Sequence, residues 1–366
     1  MKNNLKAKIM LVSLIGILFF ASTCIINGQE SADEITLNNK TKIIDSIDNT
    51  LEGYFNGKFK YQNNINNLND SLKYIQQDTV VYKESAITDD NIRNLSNING
   101  EKIYDYKVSN DIKKIENTNK GYKVNVTYRV EFYYVGARDK SYIEEDHIIY
   151  LNNTSNKMLI DADIYDEDSD LEDLDNKYVN DKEEYEKEQI RKIEDISYKY
   201  KSELKNIYNK KEQNNYITSS RGMYNRNGAR RWALDNALTL KNDYSADCTN
   251  FVSKAMCYGG GLRKDEIWYY HSNAWIRVIE LRNWLLNRGH AQEKDHYKYA
   301  DIGDIVQYYS KNKGRWAHSV IVTSRTNKYP YIRVSAHTTN RRDVNVSGIY
   351  YPRGDYSNYR VLHITR

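Results

Sequence analysis

The spacing of apolar positions changes period several times along this chain. Residues 43–55 and 63–74 carry apolar side chains at helical spacing, which predicts two helices. Strand-like runs follow at 102–106, 122–134 and 143–151, with one more at 157–164. In the second run Val124, Val126, Tyr128, Val130 and Phe132 alternate with polar residues, as a half-buried strand requires. Residues 161–175 are acidic. Residues 177–214 hold no Gly or Pro, alternate Glu with Lys in blocks, and keep only sparse apolar stations such as Ile190, Ile193 and Ile196. That pattern predicts one long spacer helix, supported by pairs one turn apart such as Glu183–Lys187 and Glu188–Lys192.

Past residue 215 the pattern changes again. Ala229, Trp232, Ala233, Ala237 and Leu240 share one face of a helix expected over 224–240. A second helix is expected from Cys248 to Tyr258, stopped by Gly259-Gly260-Gly261. Gly303-Asp304 reads as a turn into a strand at 305–309, and further strands are expected at 315–323 and 331–338. All five Trp residues lie in this part. The expected organisation is an export signal over 1–28, an α+β domain over 31–165, an acidic then helical linker over 166–215, and a second α+β domain over 216–366. Helices followed by a mostly antiparallel sheet give the first domain a loose similarity to the NTF2-like cone fold.

Composition places the chain among soluble globular proteins, with 40% hydrophobic and 28% charged residues. Lys2, Lys6 and Lys8 precede an apolar run from Ile9 to Ala21, shorter than the roughly 20 residues a bilayer span needs, so the segment reads as an export signal cleaved near Gly28. An uncleaved anchor and lipidation at Cys24 are the alternatives. Each puts the bulk of the chain outside the cytoplasm, secreted or at the cell surface, and confines membrane contact to this segment. The net charge of +4 hides a division: from Asn215 onward 24 Lys and Arg face 12 Asp and Glu, and the remainder holds 30 against 38. A basic C-terminal half suits an anionic polymer, and equally suits attraction between the two halves. Asp166, Asp168 and Asp170 invite a calcium-loop reading, but Leu171 stands where the loop needs Gly and Lys177 where it needs Glu, so a solvated linker is expected. His147 is expected as a partly exposed strand histidine.

Outside the signal only Cys248 and Cys257 remain. Nine residues apart on one helix, they would stand about 13 Å apart along its axis, beyond the roughly 7 Å a disulfide allows. Cys248 is then a free thiol at a helix N-terminus, where the macrodipole and unpaired amides favour a thiolate and can hold an oxyanion. Asp247 is expected to cap that helix with its carboxylate. Cys257, at the negative end, is expected to be a small buried hydrophobe. A thiol nucleophile needs a base, and His318 begins the strand at 315–323. His337 on the next strand is the expected orienting partner of His318, with Asn340 as the runner-up.

The run Asp247-Cys248-Thr249-Asn250-Phe251-Val252-Ser253, the glycines after it, Gly303-Asp304 before a strand, and His318-Ser319 resemble the putative amidase domain family. So do Tyr224-Asn225-Arg226 and the tryptophan-rich stretch around Trp268, Trp275 and Trp284. The resemblance covers about 216–366 and implies an NlpC- or CHAP-type, papain-like α+β fold. It implies attack by Cys248 on an amide of a cell-wall or related peptide, a thioester, and hydrolysis assisted by His318. Tyr244 is a candidate second oxyanion donor, and Trp268, Trp275 and Trp316 are candidate substrate contacts, with core packing as an equal alternative for all three. Trp232 and Trp284 are expected in the core. Lys254 departs from the pattern, where Gln is expected. No cofactor, metal set or nucleic-acid module is expected: His271, His290 and His296 have no ligand spacing, and the basic charge lacks an RNA-binding motif. The alternative to an enzyme is a catalytically inactive protein that binds the cell wall or another surface.

Overall fold

The computed structural model describes residues 29–99, 102–137, 140–154, 157–165, 171–194, 224–326, 331–346 and 356–365. The expected signal with Cys24, the Asp166–Asp170 run and the boundary near 215 lie outside these residues.

The N-terminal unit begins with α1 (Gln29–Gln62) and α2 (Val80–Asn99), joined through a 3-10 turn at Asp70–Tyr74. The helix expected over 63–74 shrinks to that turn. Asn64 adopts a left-handed φ of 58° just past α1, and this ends the helix where side-chain spacing alone would continue it. Four antiparallel strands follow: β1 (Ile103–Asn117), β2 (Gly121–Tyr134), β3 (Ser141–Asn153) and β4 (Met158–Ile164). The alternation in β2 lays Val124, Val126, Val130 and Phe132 against Ile47, Leu51, Phe55 and Phe59 of α1 in one core.

The single spacer helix divides. Helix α3 (Leu171–Asn180) stops at Asp181, whose carboxylate accepts the amide of Glu184 and starts a new helical stretch over 182–194. The Glu183–Lys187 pair forms there at 2.7 Å.

The C-terminal part holds α4 (Arg226–Asn236) and α5 (Cys248–Lys254), which continues as a π turn over Ala255–Gly259. Helices α6 (Asn273–Ile276) and α7 (Val278–Asn287) come next. Then follow β5 (Ala291–Lys294), β6 (Ile305–Ser310), β7 (Arg315–Arg325), β8 (Ile332–Ala336), β9 (Arg341–Asn345) and β10 (Tyr356–Ile364).

Among the described residues, strands from both parts join one antiparallel sheet in the order β1-β2-β3-β9-β8-β7-β6-β10-β5, with β4 beside β3. The junction pairs Tyr142 with Arg342 and Ile143 with Arg341. Helices α4–α7 cover the sheet face that carries Ile305, Ile321, Leu362 and Ile364. The opposite face carries Val306, Tyr308, Val320, Val322 and Val334, continuous with the N-terminal core. His147 is not partly exposed. It is buried, its Nδ1 lies 2.7 Å from Asp163 Oδ1, and its ring stacks on Tyr165. Its neighbour across the sheet is the core residue Val126, and that packing closes it from solvent.

Candidate active site

The Tyr224-Asn225-Arg226 segment ties α4 to the sheet. Tyr224 donates its hydroxyl to Gly303 O at 2.8 Å, and Asn225 caps α4 by accepting the Gly228 amide at 2.8 Å. Arg226 reaches Asp304 Oδ1 at 2.7 Å and Ile302 O at 2.8 Å. The fully buried Asp304 also accepts the amides of Asp301 and Ile364 and pairs with His363 Nδ1 at 2.7 Å. So the Gly303-Asp304 turn is a structural hub, and its buried charge is matched on every side. Gly228 and Gly259 let α4 and the π turn touch backbone to backbone: a Cβ on Gly228 would stand 2.2 Å from Gly259 O. This contact sets the direction of α5.

Every residue of α5 is buried, and Cys248 is its first. The thiol donates toward Ala317 O at 3.9 Å, with the Thr249 hydroxyl 3.8 Å away. Thr249 donates to Ser319 Oγ at 3.2 Å, Gln307 Nε2 donates to the same oxygen at 3.3 Å, and Arg360 holds Gln307 Oε1 through Nη2 at 2.7 Å. This chain of buried polar groups fastens the start of α5 to β7 on both sides of His318. The sulfur therefore stands beside the residue that precedes the imidazole. Strand alternation turns Ser319 toward Thr249, and the His318 ring toward Tyr308 and Tyr356, with centroids 6.2 and 5.8 Å away. Burial, then the cations of Arg341 and Lys313, lower the His318 pKa to about 3, so the ring is neutral at ordinary pH and able to accept a proton.

Asp247 does not cap α5 with its carboxylate. Oδ1 accepts the Asp243 amide at 3.1 Å and Asn250 Nδ2 at 2.8 Å, and Oδ2 pairs with His337 Nδ1 at 2.9 Å. Both side chains of the pair are wholly buried, and a desolvated carboxylate is held better by an imidazole than by a helix amide that can find other partners. His337 is consequently not behind His318. Its Nε2 lies 3.4 Å from Asn236 O, and its ring stacks on Phe251 of α5 with centroids 4.2 Å apart. Asn340 is drawn away to the β3 junction, where it donates to Glu144 Oε1 at 2.9 Å. Thr338, which sequence reasoning missed, accepts the Asp247 amide at 2.9 Å and holds φ at 81°, a region that β-branched residues rarely enter. No residue pattern signals such a contact, since it depends on how the chain leaves β8.

Tyr244 is half-buried beside the start of α5, and its hydroxyl bonds to His271 Nδ1. Burial, then Asp243 and Asp247, raise its pKa, so the phenol stays a donor. Trp268 and Trp275 are fully buried. Trp268 Nε1 donates to Ser253 at 3.2 Å and Trp275 Nε1 to Asn250 at 2.8 Å, so each indole is a core wedge with its polar edge satisfied from α5. Trp284 stacks on Trp268 in that core, and Trp232 is half-buried against Phe251. Trp316 stays half-buried at the surface, with the Arg360 guanidinium 3.9 Å above its ring.

Lys254 is buried and donates to Asp243 Oδ2 at 2.5 Å, which also accepts Tyr270 at 2.8 Å and Asn250 at 3.0 Å. The departure from the expected Gln thus locks the loop before Cys248 to α5. The hydrogen bond from Lys254 is the chief cause that lowers the Asp243 pKa to about 2. Cys257 is half-buried and free, and burial raises its thiol pKa. Among the described residues no group of three His, Cys, Asp or Glu side chains is placed to hold a metal ion.

Cys248, His318, Asp247 and His337 sit in one matched stretch. Residues 207–361 match the family model described as "Putative amidase domain". The match spans less than half of the chain and supports an amidase-like hydrolase in this part. No curated protein matches the chain, and no solved structure does.

Proposed function

We propose that this protein is a cysteine-dependent amide hydrolase with Cys248 as nucleophile and His318 as base. The observation that carries this reading is the thiol at the first residue of a wholly buried helix, fastened to β7 on both sides of a neutral histidine. The backbone amides at that helix end favour a thiolate and can hold the oxyanion of the attacked amide. The sulfur adds to the amide carbon, the amine leaves with a proton supplied through the imidazole, and water activated by the same ring cleaves the thioester. Tyr244 offers a second donor to the oxyanion. His337 serves the site through Asp247, as a positioning residue that fixes the segment entering α5.

The fold assignment that goes with this reading is papain-like for the C-terminal part and NTF2-like for the N-terminal unit, supported by a helix-borne Cys on an antiparallel sheet and by two helices laid on four strands. The substrate is a cell-wall or related peptide, and the protein works outside the cytoplasm, as the basic C-terminal half and the signal-like first 28 residues support. Digestion of purified cell-wall fragments, followed by mass spectrometry, tests the activity. Wild type should release new termini at amide bonds, and Cys248→Ala should lower the rate by a factor on the order of 10⁴ or more. Equal hydrolysis by the two proteins would remove Cys248 from the chemistry. Binding of the fragments without cleavage by either would identify a surface-binding protein instead.

A further inference from the structure

The junction between β3 and β9 has more chemistry than strand pairing requires. Glu144 and Asn340 bond twice, backbone amide to carbonyl at 2.9 Å and Asn340 Nδ2 to Glu144 Oε1 at 2.9 Å. Ser141 donates to Asp343 O at 2.8 Å. At the centre, Arg341 Nη2 donates to Glu145 Oε1 at 2.9 Å and to the Tyr165 hydroxyl at 3.1 Å. The ion pair is largely desolvated, with 4% of the Arg341 side chain and 12% of the Glu145 side chain exposed. Glu145 Oε2 continues to His147 Nε2 at 3.4 Å, and His147 to Asp163, which also holds Tyr54 of α1 at 2.8 Å. Arg341 is thus gripped by a buried polar network of the N-terminal unit.

On its other side Arg341 pairs in register with Ala336 of β8. Ala336 shares a core with Val320 and Tyr308, on the sheet face that carries the His318 ring. Among the described residues, Arg341 from β9, Lys313 from the turn before β7, Tyr308 from β6 and Tyr356 from β10 stand around that ring, with the Cys248 thiol at the neighbouring Ala317 O. Of the two cations, Arg341 is the one the N-terminal unit holds.

We propose that Glu145 and Arg341 are positioning residues for His318: the carboxylate on β3 fixes the guanidinium on β9 against the His318 face, so the catalytic half works only with the N-terminal unit joined to its sheet. The proposal rests on the reading of His318 as base. The fixed cation keeps the resting ring neutral and sets how readily it takes up and releases the proton that the reaction passes through it. Glu145 keeps that cation in one place and offsets part of its charge. The N-terminal unit thereby acquires a role in the reaction.

The test uses the full chain with isotope-labelled histidine, His318 being assigned by its loss in His318→Gln. Imidazole titrations by NMR are compared for wild type, Arg341→Gln and Arg341→Lys, with melting curves to show folding. Removing the cation should raise the His318 midpoint by about one pH unit, and Lys should keep the wild-type value. In parallel, the alkylation rate of Cys248, read on its own peptide by mass spectrometry, should fall at least about threefold in Glu145→Gln and recover in Glu145→Asp. A folded Arg341→Gln protein whose His318 titrates as wild type overturns the inference. So does a Glu145→Gln protein with unchanged alkylation. Should Arg341→Gln not fold, Glu145→Gln, which keeps the side-chain shape, carries the test through alkylation. Cell-wall hydrolysis independent of Cys248 would instead sink the proposed function and leave both of these measurements standing.

Discussion

Asp247 and His337 form the buried pair most directly tied to the candidate nucleophile, and Asp247→Asn isolates it. The carboxylate accepts three hydrogen bonds, from Asp243 N, Asn250 Nδ2 and His337 Nδ1. An amide in its place has only one oxygen, so one of the three donors meets an NH₂ group. The imidazole can relieve that clash by moving its proton to Nε2, which already lies 3.4 Å from Asn236 O. The loss is then one charge-assisted bond, about 1.5–3 kcal/mol, or a fall in melting temperature of roughly 3–8 °C. Because Asp247 directly precedes Cys248, the thiol should shift as well, and displacements near 1 Å cost up to about 10²-fold in rate. The assay is a double-mutant cycle of Asp247→Asn and His337→Gln, read both by urea unfolding and by the alkylation rate of Cys248. A coupling of about 1 kcal/mol or more is expected in each reading. Additivity within about 0.5 kcal/mol would show that the two side chains act independently, and the account of Asp247 as a positioning residue would fall.

Two further outcomes follow from burial. His318 has its folded pKa lowered from 6.5 to about 3, so the unfolded chain binds the extra proton between those values, and stability present above pH 6.5 should be lost as pH falls toward 3. Urea titrations should show a slope of up to about 1.4 kcal/mol per pH unit in that window, reduced in His318→Gln; identical slopes would mean that His318 is protonated in the fold. Trp268→Ala should cost about 3–5 kcal/mol through lost packing and leave KM unchanged at temperatures where the protein is folded, whereas a selective rise in KM would return Trp268 to the substrate surface.

Local pattern made much of the architecture legible. Alternation alone marks β2, because one face of that strand meets α1 and the other does not. The Cys248 helix and its glycine stop could also be read, since Phe251, Val252, Ala255 and Met256 at helical spacing and a chain-reversing Gly261 leave clear marks. The strands β5, β9 and β10 could not. They are short or carry charged residues such as Arg341, Arg342 and Arg360, whose burial depends on partners far along the chain. The indoles of Trp268 and Trp275 were open to two readings because a tryptophan serves equally as a binding surface or as a core wedge. Their partners on α5, Ser253 and Asn250, decide for the core.

The same division runs through the candidate site. Residue identity and local propensity place a thiol at a helix start and a histidine in a nearby strand, because capping, periodicity and glycine breaks act over a few residues. Which polar groups meet was settled only in three dimensions. His337 goes to Asp247 rather than to His318, Asn340 goes to Glu144, and Arg341 goes to Glu145 of the N-terminal unit. A buried charge must find its counterpart wherever the sheet order puts one, and the order that sets β3 beside β9 is not written in any local stretch of the chain.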